Sequence, residues 1–187
     1  MAAGDLTSLS NVKAWLGLTD PTQTEDDSLL TWLITAASQF IQTWCCRSFA
    51  SQAYIETRDG TGGNRMPFIN TPVTNVASLL VNGINIPPGD AVTTPGFYFT
   101  PTMLALNGHG FARGTGNVVI TYTAGFAAVP PEIEQACIEL VGQRFRDKDR
   151  IGLASKGVGG ETTAFLVKDM PDSCRTILDT YKRILPL

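Results

Sequence analysis

The chain has 187 residues, is 43% hydrophobic and carries a formal net charge of −3, with a sequence pI near 5.1. That length buries a normal core as one domain with an inserted lobe or two closely joined lobes, and the acidic balance argues against a surface built to grip nucleic acid. No apolar run is long enough to span a bilayer and the N-terminus carries no charged-then-apolar leader, so synthesis in the cytoplasm is expected.

Ser8 or Ser10 caps a short first helix carrying Leu9, Val12, Trp15 and Leu16, with Gly17 as its stop. Asp20 and Pro21 make a turn, and Thr24 followed by Glu25, Asp26 and Asp27 opens a second helix with acids in its first turn. That helix runs to about 44–47. Its apolar residues Leu29, Leu30, Leu33, Ile34, Ala37, Phe40, Ile41 and Trp44 cover a face wider than one contact needs, so it is expected to pack on two sides, the second of which could be another subunit.

Over 51–123 the texture changes to short alternating runs between Gly, Pro and Asn. Strands are expected at 53–58, 66–69, 76–81, 97–99, 103–106 and 117–123, with a turn at 59–64 and Asn82-Gly83 as a two-residue hairpin dipeptide. This is one small, mostly antiparallel sheet inserted between helices.

Pro130 and Pro131 then start the strongest helix of the chain, where a first-turn proline gives up only an N–H that had no partner. Glu132 and Glu134 put negative charge at the positive end of the helix dipole, and Ile133, Ala136, Cys137, Leu140, Val141 and Phe145 form its apolar stripe. The helix ends in Arg144, Arg146, Lys148 and Arg150 with Asp147 and Asp149 interleaved. Their spacing permits Arg144–Asp147, Arg146–Asp149 and Asp147–Arg150 pairs. Two readings stand: a solvated helix end, or a polar contact surface whose mixed charges specify a neighbouring subunit. Gly142 sits mid-helix at a cost of about 1 kcal/mol relative to alanine, which close approach of another backbone would explain.

Residues 152–161 read as a glycine-rich, mobile loop. The following Phe165, Leu166 and Val167 are apolar and β-prone, either an edge for a neighbouring subunit or a strip packed on the chain's own helices. Pro171 and Asp172 open a last helix with Cys174, Ile177, Leu178 and Tyr181 on one face and Arg175, Lys182 and Arg183 on its polar side and toward its end.

Residues with chemical potential do not converge. His109, the only histidine, lies in a Gly-flanked turn, where a solvated residue is favoured over a general base, and no Gly-x-Ser-x-Gly elbow accompanies it. The glycines at 157, 159 and 160 lack the Gly-Lys-Ser/Thr of a phosphate loop, and residues 59–64 supply too few oxygens for calcium. The trio Glu25, Asp26 and Asp27 serves helix capping rather than a metal. Cys45, Cys46, Cys137 and Cys174 show no Cys-x-x-Cys spacing, so buried thiols are favoured over a disulfide or zinc site.

Residues 117–126 (Asn-Val-Val-Ile-Thr-Tyr-Thr-Ala-Gly-Phe), then 129–136 (Val-Pro-Pro-Glu-Ile-Glu-Gln-Ala) and an Arg-bearing helix, resemble the head–tail connector proteins of tailed bacteriophages, also called adaptor, head-completion or DNA-packaging connector proteins. Residues 66–73 (Met-Pro-Phe-Ile-Asn-Thr-Pro-Val) followed by Val76, Leu79, Val81 and Gly83 resemble the family's strand, Pro-Val, strand, turn pattern, and the first two helices and the last one match in order, so the resemblance spans nearly the whole chain. The lobe at 51–123 is larger than in the family's compact, nearly all-helical members. The resemblance implies an α+β fold: a helical body of about four helices (1–50 and 125–187) with an inserted, mostly antiparallel β lobe (51–124).

The function it implies is structural. Copies would form a homo-oligomeric ring, typically twelve-fold, in the virion neck beneath the portal protein. That ring would join head to tail, meet a tail or stopper protein, and extend the channel through which genomic DNA passes without sequence-specific binding. No catalysis, cofactor, metal or membrane is implied, and synthesis would be in the cytoplasm of the bacterial host. The candidate subunit or portal interface is Gly142, Arg144, Arg146, Asp147, Lys148, Arg150, Phe165, Leu166 and Val167. Two alternatives remain on these residues: another neck or tail-completion protein, and a virion carbohydrate-binding β module.

Overall fold

The computed structural model describes residues 4–18, 20, 22–148, 155–158, 161–164 and 170–183. The chain divides into two compact units, Met1–Phe49 with Val129–Leu187, and Ala50–Ala128.

The first unit is helical, with α1 Leu9–Leu16, α2 Asp27–Trp44, α3 Pro131–Asp147 and α4 Asp172–Tyr181. Ser8, not Ser10, caps α1: its Oγ accepts from the Asn11 N–H at 3.2 Å, and Gly17 is the C-cap. The acids ahead of α2 take a different role from the expected one. Asp26 occupies the N-cap position without a side-chain cap bond. It pairs instead with Lys148 at 3.1 Å, while Asp27 pairs with Lys13 at 2.8 Å. Glu134 at the start of α3 likewise accepts from Asn11 Nδ2 (2.7 Å) and Thr7 Oγ1 (3.1 Å), and Glu132 accepts from the Tyr181 hydroxyl (2.9 Å). Acids placed to favour a helix dipole therefore also tie neighbouring helices together.

The wide apolar face of α2 is shared out within this unit. Leu30, Leu33, Ile34, Ala37 and Ile41 are buried with Ile133, Ala136, Leu140 and Val141 of α3. Its carboxyl end meets α4, where the Trp44 Nε1–H donates to Asp179 at 3.3 Å and the Arg183 N–H to the Cys45 carbonyl at 2.9 Å. Phe40 and Trp44 stack 6.3 Å apart, covered by cations: Arg144 over Phe40 at 5.2 Å, Lys182 and Arg175 over Trp44 at 4.8 and 5.4 Å. What α2 turns outward is Ser28, Thr31, Trp32, Gln39 and Thr43, with Trp32 67% exposed.

Between α3 and α4 the expected loop is in part a hairpin. Strands β8 Ser155–Val158 and β9 Glu161–Ala164 pair antiparallel. Backbone groups that a loop would leave to water are bonded across the pair, which glycine content alone does not forbid. Phe165, Leu166 and Val167 lie outside the described residues.

The second unit holds β1 Gln52–Gly60, β2 Arg65–Pro67, β3 Val73–Val81, β4 Ile84–Ile86, β5 Gly96–Phe99, β6 Met103–Asn107 and β7 Gly114–Ala124. In place of the single expected sheet there are two antiparallel ones, ordered β1-β7-β3-β4 and β2-β6-β5. Asn82 and Gly83 (φ 52° and 76°) make the expected two-residue turn from β3 into β4. The two sheets bury their inner faces against each other: Met66, Phe97, Leu104 and Leu106 from one meet Val76, Leu79, Val118 and Ile120 from the other.

Register sorts the residues of the larger sheet cleanly. Glu56–Ile120–Leu79–Ile86 and Tyr54–Tyr122–Val76 are inward rows; Thr57–Val119–Leu80–Asn85, Ile55–Thr121–Ser78 and Ala53–Thr123–Asn75 are outward rows. At the centre of the inner face, Tyr122 packs on Phe68 (4.9 Å) and Tyr54 (5.6 Å). Its hydroxyl donates to Glu56 Oε1 and accepts from the Asn70 N–H and Nδ2–H at 3.2 and 3.3 Å.

Cys45, Cys137 and Cys174 are buried free thiols, whereas Cys46, expected with them, is exposed. Burial pushes the Cys45 and Cys137 thiols up to about 11 and Cys174 to about 12, from an ordinary 9.0. The folded chain thus keeps protons that the unfolded chain releases. Stability from these groups is fully present below pH 9 and is lost as pH rises through 11 to 12. Melting temperature should fall progressively above pH 9, and Cys137→Ala should flatten that fall; a pH-independent melting temperature between 9 and 11 would contradict the assignment.

Candidate functional site

The polar end of α3 gathers the residues that sequence marks for contact. On a helix, Gly142 and Arg146 share a side, with Asp147 beside them. The half-exposed indole of Trp15, from α1, lies against that side. Together with Glu139, Gln143 and Pro171 these residues line a shallow groove of ≈ 300 Å³.

Gly142 is buried, and the helix it meets belongs to its own chain. A Cβ built there lies 3.5 Å from Trp15 Cδ1 and Nε1 and 3.7 Å from Leu16 Cδ2, ordinary van der Waals distances. Gly142→Ala should therefore gain the helix propensity of alanine without displacing α1, about 1 kcal/mol. That is a rise in melting temperature of roughly 2–4 °C for a chain of this size. A fall on thermal denaturation would mean that α1 sits closer than 3.5 Å.

The neighbouring cations go elsewhere. Arg144 holds its guanidinium over Phe40 instead of forming the expected ion pair with Asp147. Among the described residues the ion pairs are Lys13–Asp27, Arg58–Glu56 and Lys148–Asp26. Lys148 also lies 4.3 Å over the Phe145 ring. So α3 presents Arg146 outward, with Asp147 half-buried beside it, while Arg144 and Lys148 hold its own helices. Asp149 and Arg150, with the pairs expected of them, lie outside the described residues, as do Phe165, Leu166 and Val167.

Trp15 was missed because its helical spacing puts it on a core stripe. The available signal was the length of α1: in eight residues only Val12 is buried, and a bulky indole one turn further along, just before the Gly17 stop, has little left to cover it.

Burial pushes the Glu139 carboxyl up, but hydrogen bonds from Gln135, Ser173 and Cys174 outweigh it and hold the group below its ordinary value. It is a carboxylate at neutral pH, and the adjacent Cys174 is a neutral thiol. His109 is exposed in its turn, in the other unit. Among the described residues no three His, Cys, Asp or Glu side chains cluster to hold a metal, and no helix is long and apolar enough to cross a membrane.

A family model described as Head completion protein matches residues 5–184. No curated protein matches the chain. Among solved structures, the fold is similar to a chain in the neck of an empty GTA particle computed with C6 symmetry, with TM-score 0.63 and 19% identity over 100% of this chain and 94% of that one. It is also similar to a chain in the neck of a native GTA particle computed with C12 symmetry (TM-score 0.60, 17% identity, 100% and 94%). A chain in the virion of a native gene transfer agent particle is similar at TM-score 0.59 and 20% identity, with the same coverage.

Proposed function

The chain belongs to the head completion protein family, and on that premise we propose that it assembles as a twelve-fold ring in the virion neck, beneath the portal, joining head to tail and extending the DNA channel. Its role is structural, not enzymatic. The observation that carries the reading is the full-length likeness of fold to chains from necks computed with C6 and C12 symmetry. The net charge of −3 suits a channel through which DNA slides without sticking.

Within that reading the groove beside Trp15 is the portal contact. A half-exposed indole flanked by a guanidinium and carboxylates is the composition of an interface anchor with an orienting rim. Arg150 continues the same helix-end charge pattern.

Purified protein mixed with portal rings should give, by negative-stain imaging and native mass spectrometry, portal assemblies carrying twelve added copies. Trp15→Ala should weaken portal binding by roughly 10-fold or more, the loss of one interface anchor. A protein that stays monomeric and ignores the portal would overturn the reading; binding to tail tubes or to glycans instead would reassign it.

A further inference from the structure

The solvent side of a surface helix ordinarily carries charge. Along α2, residues 28–46 contain no Asp, Glu, Lys or Arg, and the outward positions are Ser28, Thr31, Trp32, Gln39 and Thr43. Thr31, on this face, keeps its hydroxyl within the helix. Its Oγ1 donates to the Asp27 carbonyl at 2.8 Å, a bonding back onto the helix that turns the hydroxyl toward the backbone; Thr35, half-buried at the edge of the face, donates to Asp5 Oδ1 at 3.1 Å and to the Thr31 carbonyl at 3.3 Å. An indole 67% exposed stands among them.

The second unit repeats the pattern on its larger sheet. Of its charged strand residues, Glu56 and Arg58 fall in inward rows, beside Ile120 and Val118, and Asp59 stands exposed at the bulge that ends β1, beyond the outward rows, where it accepts from the Gly116 N–H at 2.6 Å. All three outward rows are uncharged, and in the middle one, Ile55–Thr121–Ser78, Ile55 is 75% exposed. Depletion of charge with retained aromatic and β-branched side chains marks the buried core of an interface, not a solvated face. A ring closes only through heterologous contacts, which join two different patches of the same chain. Two unlike, charge-free faces on two units are what such a contact requires. Neither supplies the cations that would hold nucleic acid.

We propose that the outward face of α2 in one copy packs on the outward face of the β1-β7-β3-β4 sheet of the next copy, with Trp32 as the anchor. The assignment rests on the ring reading above and names the contact that closes it.

The test is made in the assembled neck, on portal carrying the protein. Benzoylphenylalanine is placed at position 32, and heavy- and light-isotope copies are mixed before irradiation. Mixed-isotope cross-links should join position 32 to peptides covering 53–57 or 119–123 of another copy. Trp32→Glu and Thr121→Arg should each raise the concentration for half-assembly at least 10-fold without lowering the melting temperature of the free chain, and the double variant should regain assembly through the new opposite charges. Assembled rings whose cross-links run to the portal, to another protein or only within one copy overturn this contact while leaving the ring standing. A wild-type chain that never assembles overturns the ring, and this contact with it.

Discussion

Gly125→Ala should lower the melting temperature by roughly 10 °C, the consequence of about 3 kcal/mol lost in a chain of this size. Gly125 has φ +123°, a conformation that L side chains rarely adopt, and a Cβ there would lie 2.4 Å from the Ala50 carbonyl oxygen and 2.7 Å from Ser51 Cα. Both obstacles are main chain, so no rotamer change removes the clash. The position is also a knot of the β unit: the Gly125 N–H donates to the Pro72 carbonyl at 2.9 Å, and Ala50 bridges Phe126. Relief of the clash therefore disturbs the starts of β1 and β3 and the end of β7 together. Gly142→Ala carries the same chemical change with the opposite expected sign, because its Cβ enters ordinary contact with flexible side-chain atoms. Measuring both by thermal denaturation tests the geometry directly. A shift below 2 °C for Gly125→Ala would contradict the described approach of Ala50.

Tyr122 is the second sensitive point, and two substitutions separate its two contributions. Tyr122→Ala removes a fully buried ring packed between Tyr54 and Phe68 and should cost about 3–5 kcal/mol through lost contacts and the cavity left behind. Tyr122→Phe keeps the ring but takes a donor from half-buried Glu56 and an acceptor from Asn70, about 1–3 kcal/mol. Burial, and then the bond to Glu56, push the Tyr122 hydroxyl up to about 12 from 10.0. The neutral phenol is thus favoured by folding: its contribution is whole below pH 10 and is lost as pH rises through 12. Chemical denaturation should order wild type, Phe and Ala in that sequence, and the Phe variant should lose less stability than wild type between pH 10 and 12. Equal stability of wild type and Phe would show that the hydroxyl's bonds do not stabilise the fold.

The sequence alone determined the helices, most strands of the β unit and, by resemblance, the family. Periodicity and punctuation place the four described helices, because a 3.6-residue apolar repeat and a proline or glycine at its ends act locally. Alternation between Gly, Pro and Asn places most strands of the β unit for the same reason. The order of motifs along the chain pointed to a structural connector through its resemblance to the head–tail connector proteins.

What only the tertiary structure decided is where each side chain ends. Alternation says which residues of a strand share a face, but not which strands pair, so two facing sheets rather than one emerge only when register is known. Charges at the end of α3 are spaced for one another. Yet Arg144 goes to Phe40 and Lys148 to Asp26, residues more than a hundred positions away that the fold brings within reach. Gly142 and Trp15, unrelated in sequence, are one contact in space. The two uncharged faces could be composed from sequence only in part. The run without charge along α2 is visible there, whereas its counterpart on the sheet exists only because pairing turns Glu56 and Arg58 inward and Ile55 and Thr121 outward. Local propensity acts over one or two turns of chain; burial and partner choice are set by whatever the rest of the chain delivers to that spot.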